Sequence, residues 1–270
     1  MLRSKASRWA AAPYLVWMVL FIVVPLGIVV WYALTNSDGQ VTLANLTSIG
    51  RYASVFGRSL LLAAEATIIC LVLAFPVGYF LSRLRANKQH IMLMLVMLPM
   101  WMNFLLRTYS WMSLLETNGI INTLLTKIGL PTMQLMYTEK AVILGMVYNF
   151  LPFMILPIYN TLIKLDPSLL DASDDLGASP WQTFKKVTLP LSKPAIFSGI
   201  NMVFMPSVTT FVISRLLGGS STALIGDIIE KQFKLVDDKG FGSAMSVIIM
   251  IFVFGLVALT RDKDSEEVSL

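Results

Sequence analysis

The chain has 270 residues, 56% of them hydrophobic and only 14% charged, with a net charge of +5 at pH 7 and a mean hydropathy of +0.72. A soluble globule of that composition would expose large adhesive surfaces, so burial in lipid is indicated instead. The basic excess does not signal nucleic acid, because no basic helix or stripe interleaved with aromatics lies outside the apolar runs. Cys70 and His90 are the single members of their kinds, which excludes an intrachain disulfide and a Cys/His metal cluster, and no cofactor is expected. No glycine is followed by lysine, so the chain holds no P-loop, and any ATP hydrolysis must come from a partner.

A helix crossing the ~30 Å hydrocarbon layer needs roughly 20 apolar residues. Residues 9–37 carry no charge and precede no small-x-small cleavage site, so they form a retained span and not a signal peptide. Further charge-free runs at 66–82, 91–106, 141–163, 194–214 and 240–260 complete a set of six predicted spans, at about 10–34, 59–82, 91–114, 141–163, 194–215 and 240–260. The expected fold is all-α, a single transmembrane domain over 1–270. Six spans put both termini on one side, and the dense basic flanks make that side cytoplasmic: Arg3, Lys5, Arg8, Arg83, Arg85, Lys88, Lys164, Lys185, Lys186, Lys193, Arg261 and Lys263. Outer loops at about 35–58, 116–139 and 215–239 each have room for a short surface helix. Asn118 and Gly119 punctuate the second, and Gly218, Gly219, Ser220 and Ser221 read as a turn and cap in the third.

The inner loops differ. Residues 83–90 make a minimal basic turn, whereas 164–193 is about thirty residues long. Asp166 followed by Pro167 reads as an N-cap and first helical residue, and Gly177 as the left-handed stop of that helix. Ser179 and Pro180 repeat the start, opening a second short helix from Trp181 to Val187 that Leu189 and Pro190 are expected to close before the fifth span. On capping alone this is either an amphipathic hairpin on the headgroups or a docking knob.

The spacing Asp171, Ala172, Ser173, then Gly177, then Val187, Leu189 and Pro190 resembles the Glu-Ala-Ala motif of ABC-importer permeases, with aspartate in place of glutamate and serine in place of the second alanine. In that family the loop is the coupling helix that seats on the ATPase. The segments from Leu98 and Pro99 through Asn103 to Tyr109, from Leu151 to Met154, from Asp175 to Ser179, and from Gly218 to Gly226 look like the B-type permease of spermidine/putrescine importers. The similarity in layout runs over roughly residues 10–260. It implies the type I importer fold in a prokaryotic cytoplasmic membrane and a heterodimer with a second related permease. It also implies two ATP-binding-cassette ATPase subunits, an external substrate-binding protein and no covalent chemistry in this chain. Sister permeases for iron, sulfate or phosphonate share much of the frame. An ion-coupled secondary transporter would need inverted repeats and a mid-membrane relay, neither of which is visible, and a plain membrane anchor would not need the capped loop.

Ionisable groups at membrane depth are functional suspects. Glu65 lies about two turns into the second span, where snorkelling or pairing is an alternative to a transport role. Arg107 lies in the outer half of the third, where it either braces loops through carbonyls or a carboxylate or faces the path. Trp101, Asn103, Tyr109, Tyr148 and Asn149 are either packing and belt residues or walls of a wet interior path. Pro25, Pro76, Pro99, Pro152, Pro157 and Pro206 interrupt the spans, as kinks or as openings onto a cavity.

Overall fold

A computed structural model of the chain describes residues 13–36 and 39–267, with side chains through residue 258. The first residues of the first predicted span, the basic residues Arg3, Lys5 and Arg8, and the side chains of Arg261 and Lys263 lie outside the described residues. The helices in chain order are α1 (Pro13–Ala33), α2 (Ala53–Ser82), α3 (Ala86–Trp101), α4 (Phe104–Leu115), α5 (Ile120–Lys127), α6 (Glu139–Leu162), α7 (Pro167–Asp175), α8 (Pro180–Thr183), α9 (Lys193–Thr209), α10 (Ile225–Lys231) and α11 (Lys239–Glu267). Strand-like pairing among the described residues is limited to an isolated bridge between Thr35 and Val41.

Four stretches are long and apolar enough to cross a bilayer singly: α1, residues 44–82 with α2 as their body, α6, and the first 20 residues of α11. The third and fifth predicted spans are bent pairs, and counting each pair as one span gives six. Neither 91–114 nor 194–215 is a continuous helix. Helix α3 meets the segment Phe104–Lys127 at 89°. Pro99 removes an amide from the last turn of α3, and Asn103 then starts α4 as its N-cap, its Oδ1 accepting from the amides of Leu105 at 2.8 Å and Leu106 at 3.3 Å. In the fifth, Pro206 lies near the end of α9, Thr210 is extended, and the chain resumes at Ser214–Thr222 at 58°.

Proline is also passed without a break. A five-residue π-turn, Val19–Val23, ends two residues before Pro25, and another, Phe184–Thr188, ends two residues before Pro190. The wider turn makes room for the proline ring and relieves the carbonyl whose donor is missing. Leu189 and Pro190 therefore do not close the second loop helix as expected; the backbone stays helical through Leu189–Leu191 and, after Ser192, enters α9.

The chain divides into two compact units. One holds residues up to 54 with 228–256, the other 55–227 with the residues from 257 onward. In the first, Asn45 Nδ2 donates to the Thr35 carbonyl at 2.9 Å, and Gly240 lies so near that a Cβ would come within 2.8 Å of that amide nitrogen. Tyr52 packs on Phe241 with ring centroids 5.4 Å apart.

The second unit is organised on α6, whose buried positions include Val142, Met146, Phe150, Met154 and Ile158. Helix α2 meets it through Ala66, Cys70, Ala74 and Gly78, four small residues that repeat every fourth position on one face. Cys70 Sγ donates to the Val147 carbonyl at 3.8 Å, and a Cβ on Gly78 would sit 3.1 Å from Ile158. Helix α9 approaches α6 at Gly199, where a Cβ would reach Met154 Sδ at 2.5 Å. Association without a strong hydrophobic drive inside lipid depends on such close backbone contact.

Candidate functional site

The two short helices of the 164–193 loop are set by caps at Asp166, Gly177 and Ser179. Asp166 Oδ1 accepts from the Ser168 amide at 2.9 Å at the start of α7, and bonds from the Ser168 amide and hydroxyl hold the Asp166 carboxyl below the usual carboxylate range. At the other end Gly177 takes φ +74°. The Gly177 amide donates to the Asp174 carbonyl at 2.9 Å and the Ala178 amide to Ser173 at 3.1 Å, the paired bonds of a Schellman stop. Ser179 and Gln182 form a reciprocal capping box at the start of α8.

The two short helices are then tied together and to the core. Buried Ser173 Oγ lies 2.9 Å from Thr183 Oγ1, so the motif serine is the tie between α7 and α8. Phe184 stacks on Trp181 at 5.3 Å and meets Phe75 of α2 edge-on at 5.4 Å. Leu189 packs against the core, while Val187 is half-buried. What is left outward is Asp171, Ala172, Asp174, Asp175, Gly177, Pro190, Leu176 at 88% exposure and Trp181 at 69%. A rigid knob with large apolar side chains beside three carboxylates has the form of a docking surface. Phe184 and Thr183 were missed in the sequence reading; the interval from Trp181 to Phe184, one helical turn, was the available signal.

On the opposite loops, Asn122, 1% exposed, clamps the 128–138 turn: its Nδ2 donates to the carbonyls of Glu116 and Met133, and its Oδ1 accepts from the Met133 amide at 2.9 Å. Arg58 Nε pairs with Glu139 Oε1 at 2.6 Å and Arg58 Nη1 reaches the Ser221 carbonyl. Gly219 takes φ +60° against the Tyr137 ring, and the expected surface helix starts later than Ser220, at Ile225, whose amide donates to Ser59 Oγ.

The transport-path candidates fall into two groups. Arg107, Tyr148 and Phe104 come together: the guanidinium carbon lies 5.9 Å from the Tyr148 ring centroid and 6.0 Å from that of Phe104, and Trp111 meets Tyr148 edge-on at 5.3 Å. Arg107 is buried, and neither a carboxylate nor a carbonyl accepts from its Nε or Nη1; the guanidinium lies against aromatic faces. Asn149, one residue on, is buried with Nδ2 bonded to the Gly145 carbonyl and Oδ1 unmatched. The others are outward: Trp101 at 78% and Tyr109 at 50% exposure, Asn103 at the helix break, and Glu65 on the α2 face opposite the small-residue seam, with no ion pair among the described residues.

A family model described as the binding-protein-dependent transport system inner membrane component matches residues 3–261. The chain belongs to that family. Within it, the chain is 35% identical to the spermidine/putrescine transport system permease protein PotB of Haemophilus influenzae over 269 residues, covering 94% of each chain. It is 39% identical to PotB of Escherichia coli K12 over 253 residues, 90% of this chain and 92% of that one. The permease fold is matched by a bacterial ABC transporter involved in import of the acidic polysaccharide alginate, with TM-score 0.81, 14% identity and 96% of each chain covered. These relatives make the chain a multi-pass, non-enzymatic permease component of a binding-protein-dependent ABC transport system.

Proposed function

We propose that this chain is one of two related permeases of a polyamine importer, forming half of the path for spermidine and putrescine as a single six-span domain with both termini in the cytoplasm. The observation that carries the reading is 35–39% identity over at least nine-tenths of the chain to permeases named for those solutes. In this reading the 164–193 knob seats on the ATPase, two copies of which serve the pair of permeases. Asp171, Leu176 and Trp181 face the ATPase, while Ser173, Gly177, Val187, Leu189 and Pro190 hold the knob's shape. An external binding protein delivers the solute, and hydrolysis elsewhere drives alternation between outward and inward openings.

A linear polycation in a low-dielectric passage is stabilised by aromatic faces and carboxylates, each cation–π contact contributing about 0.5–2 kcal/mol. Exposed Trp101 and Tyr109 supply such faces, and Glu65 a carboxylate. Arg107 keeps to the Tyr148 and Phe104 rings. Glu65 is the only carboxylate within the six predicted spans, so the second permease supplies most countercharge.

The test is reconstitution with partner permease, ATPase and binding protein, scoring ATP hydrolysis across spermidine, putrescine, ferric iron, sulfate and a phosphonate. Polyamines are expected to stimulate it; stimulation by iron or an anion alone assigns the chain to a sister importer. Orientation is tested by Ser179→Cys. The native Cys70 is buried and silent to impermeant thiol reagents, so labelling from outside intact cells would reverse the proposed topology.

A further inference from the structure

The inner ends of α2 and α3 enclose a groove of about 510 Å³ lined by Pro76, Val77, Phe80 and Leu81 on one side and Met92, Leu95 and Val96 on the other. Its lining is entirely apolar, and both helices lie in the second unit. The turn that closes one end is the reverse in character. Arg83, Arg85 and Lys88 are all exposed there, and no acidic residue occurs between Glu65 and Glu116. Buried Gln89 donates to the Ser82 carbonyl at 3.0 Å and fixes the turn, while His90 Nδ1 is bonded back to the Ala86 carbonyl. Arg83 is held over the Tyr79 ring at 5.1 Å. Helix α3 begins at this turn with no side-chain cap at Arg85 and no acid in its first turn, so its first amides add to the positive field.

We propose that this groove is a binding site for one anionic phospholipid, with the phosphate held by Arg85, Lys88 and the start of α3 and an acyl chain laid along Val77, Phe80, Leu95 and Val96. The dimensions agree. From Ala86 to Val96 the helix rises about 15 Å, which is half of the ~30 Å hydrocarbon layer, so the apolar lining ends where a leaflet's chains end. Charge complementarity selects the occupant: an apolar groove alone would take any lipid or a protein helix, but three cations on the turn at its mouth, in a stretch of chain with no acidic residue, select an anionic headgroup. None of the lining residues is a transport-path candidate or belongs to the 164–193 loop, and the test does not depend on which solute is carried.

Native mass spectrometry of the purified importer, with phosphatidylglycerol against phosphatidylcholine as added lipids, measures occupancy directly. The native complex is expected to retain phosphatidylglycerol preferentially. Arg85→Gln with Lys88→Gln should reduce that retention on the order of tenfold without changing phosphatidylcholine, and Leu95→Trp, which fills the groove, should reduce it alone. No preference for the anionic lipid, or retention unchanged in both variants, overturns the proposal. So does a cross-link from Leu95→Cys to another protein subunit, which would show that a protein covers the groove.

Discussion

Replacing Gly177 isolates the backbone geometry of the proposed ATPase knob from everything else in the chain. The residue takes φ +74° and a Cβ there would meet nothing within 4 Å, so substitution costs conformation and not packing. Alanine in the left-handed region is disfavoured by about 1 kcal/mol, a roughly fivefold fall in the capped conformer; a β-branched residue costs more, and asparagine less, because its short polar side chain tolerates that region. The lost conformer takes with it the bonds to the Asp174 and Ser173 carbonyls and the angle between α7 and α8. Spermidine uptake by cells expressing the whole importer should therefore rank glycine, asparagine, alanine, valine, with the complex still assembled and inserted. Basal ATP hydrolysis should persist while its stimulation by loaded binding protein falls in the same order. Valine transporting at the native rate would refute the idea that this cap sets the coupling geometry. Equal loss with asparagine and valine would show that side-chain bulk at the docking face, and not backbone angle, is what matters.

Trp101→Ala, which removes a largely exposed ring, should slow polyamine uptake several-fold while leaving binding-protein affinity unchanged, measured by labelled spermidine uptake and by titration of the isolated binding protein. Arg107→Met should leave thermal stability of the detergent-solubilised complex unchanged or raised, because it removes a buried guanidinium with two unmatched nitrogens; a fall in uptake at unchanged stability would assign the charge to transport. Gly226→Ala would drive a Cβ to 2.6 Å from the Thr209 carbonyl and 2.8 Å from that of Thr210. Backbone cannot yield as a side chain can, so a loss of roughly 1–3 kcal/mol or more is expected, read as loss of monodisperse protein in size exclusion. Ser59→Ala leaves the Ile225 amide without its acceptor and should cost about 1–3 kcal/mol, seen as a lower unfolding temperature.

How much of this was legible in the sequence depended on how far apart the interacting residues lie. The ends of α7 and α8 were readable because a cap is chemistry between neighbours: Asp166 with Ser168, Ser179 with Gln182, Gly177 with its own φ. The spans were readable from composition, since lipid demands apolar length. Their breaks were less so, because proline alone does not decide whether a helix stops. Pro99 is followed by Asn103, which can cap a new helix, and the chain turns by 89°; Pro190 is preceded by a π-turn, and the chain runs on. Arg107 marks the limit. Its depth was visible in the charge pattern, but its role depended on what α6 presents to it, and that residue is Tyr148, far along the chain, offering a ring and not an oxygen. A guanidinium so placed trades oxygen acceptors for aromatic faces, an exchange that neighbouring residues in the sequence do not reveal. The same logic explains why exposed Trp101 and Tyr109 are better candidates for solute contact than the buried cluster beside them: a ring already shared with arginine has less of its face left for an ammonium.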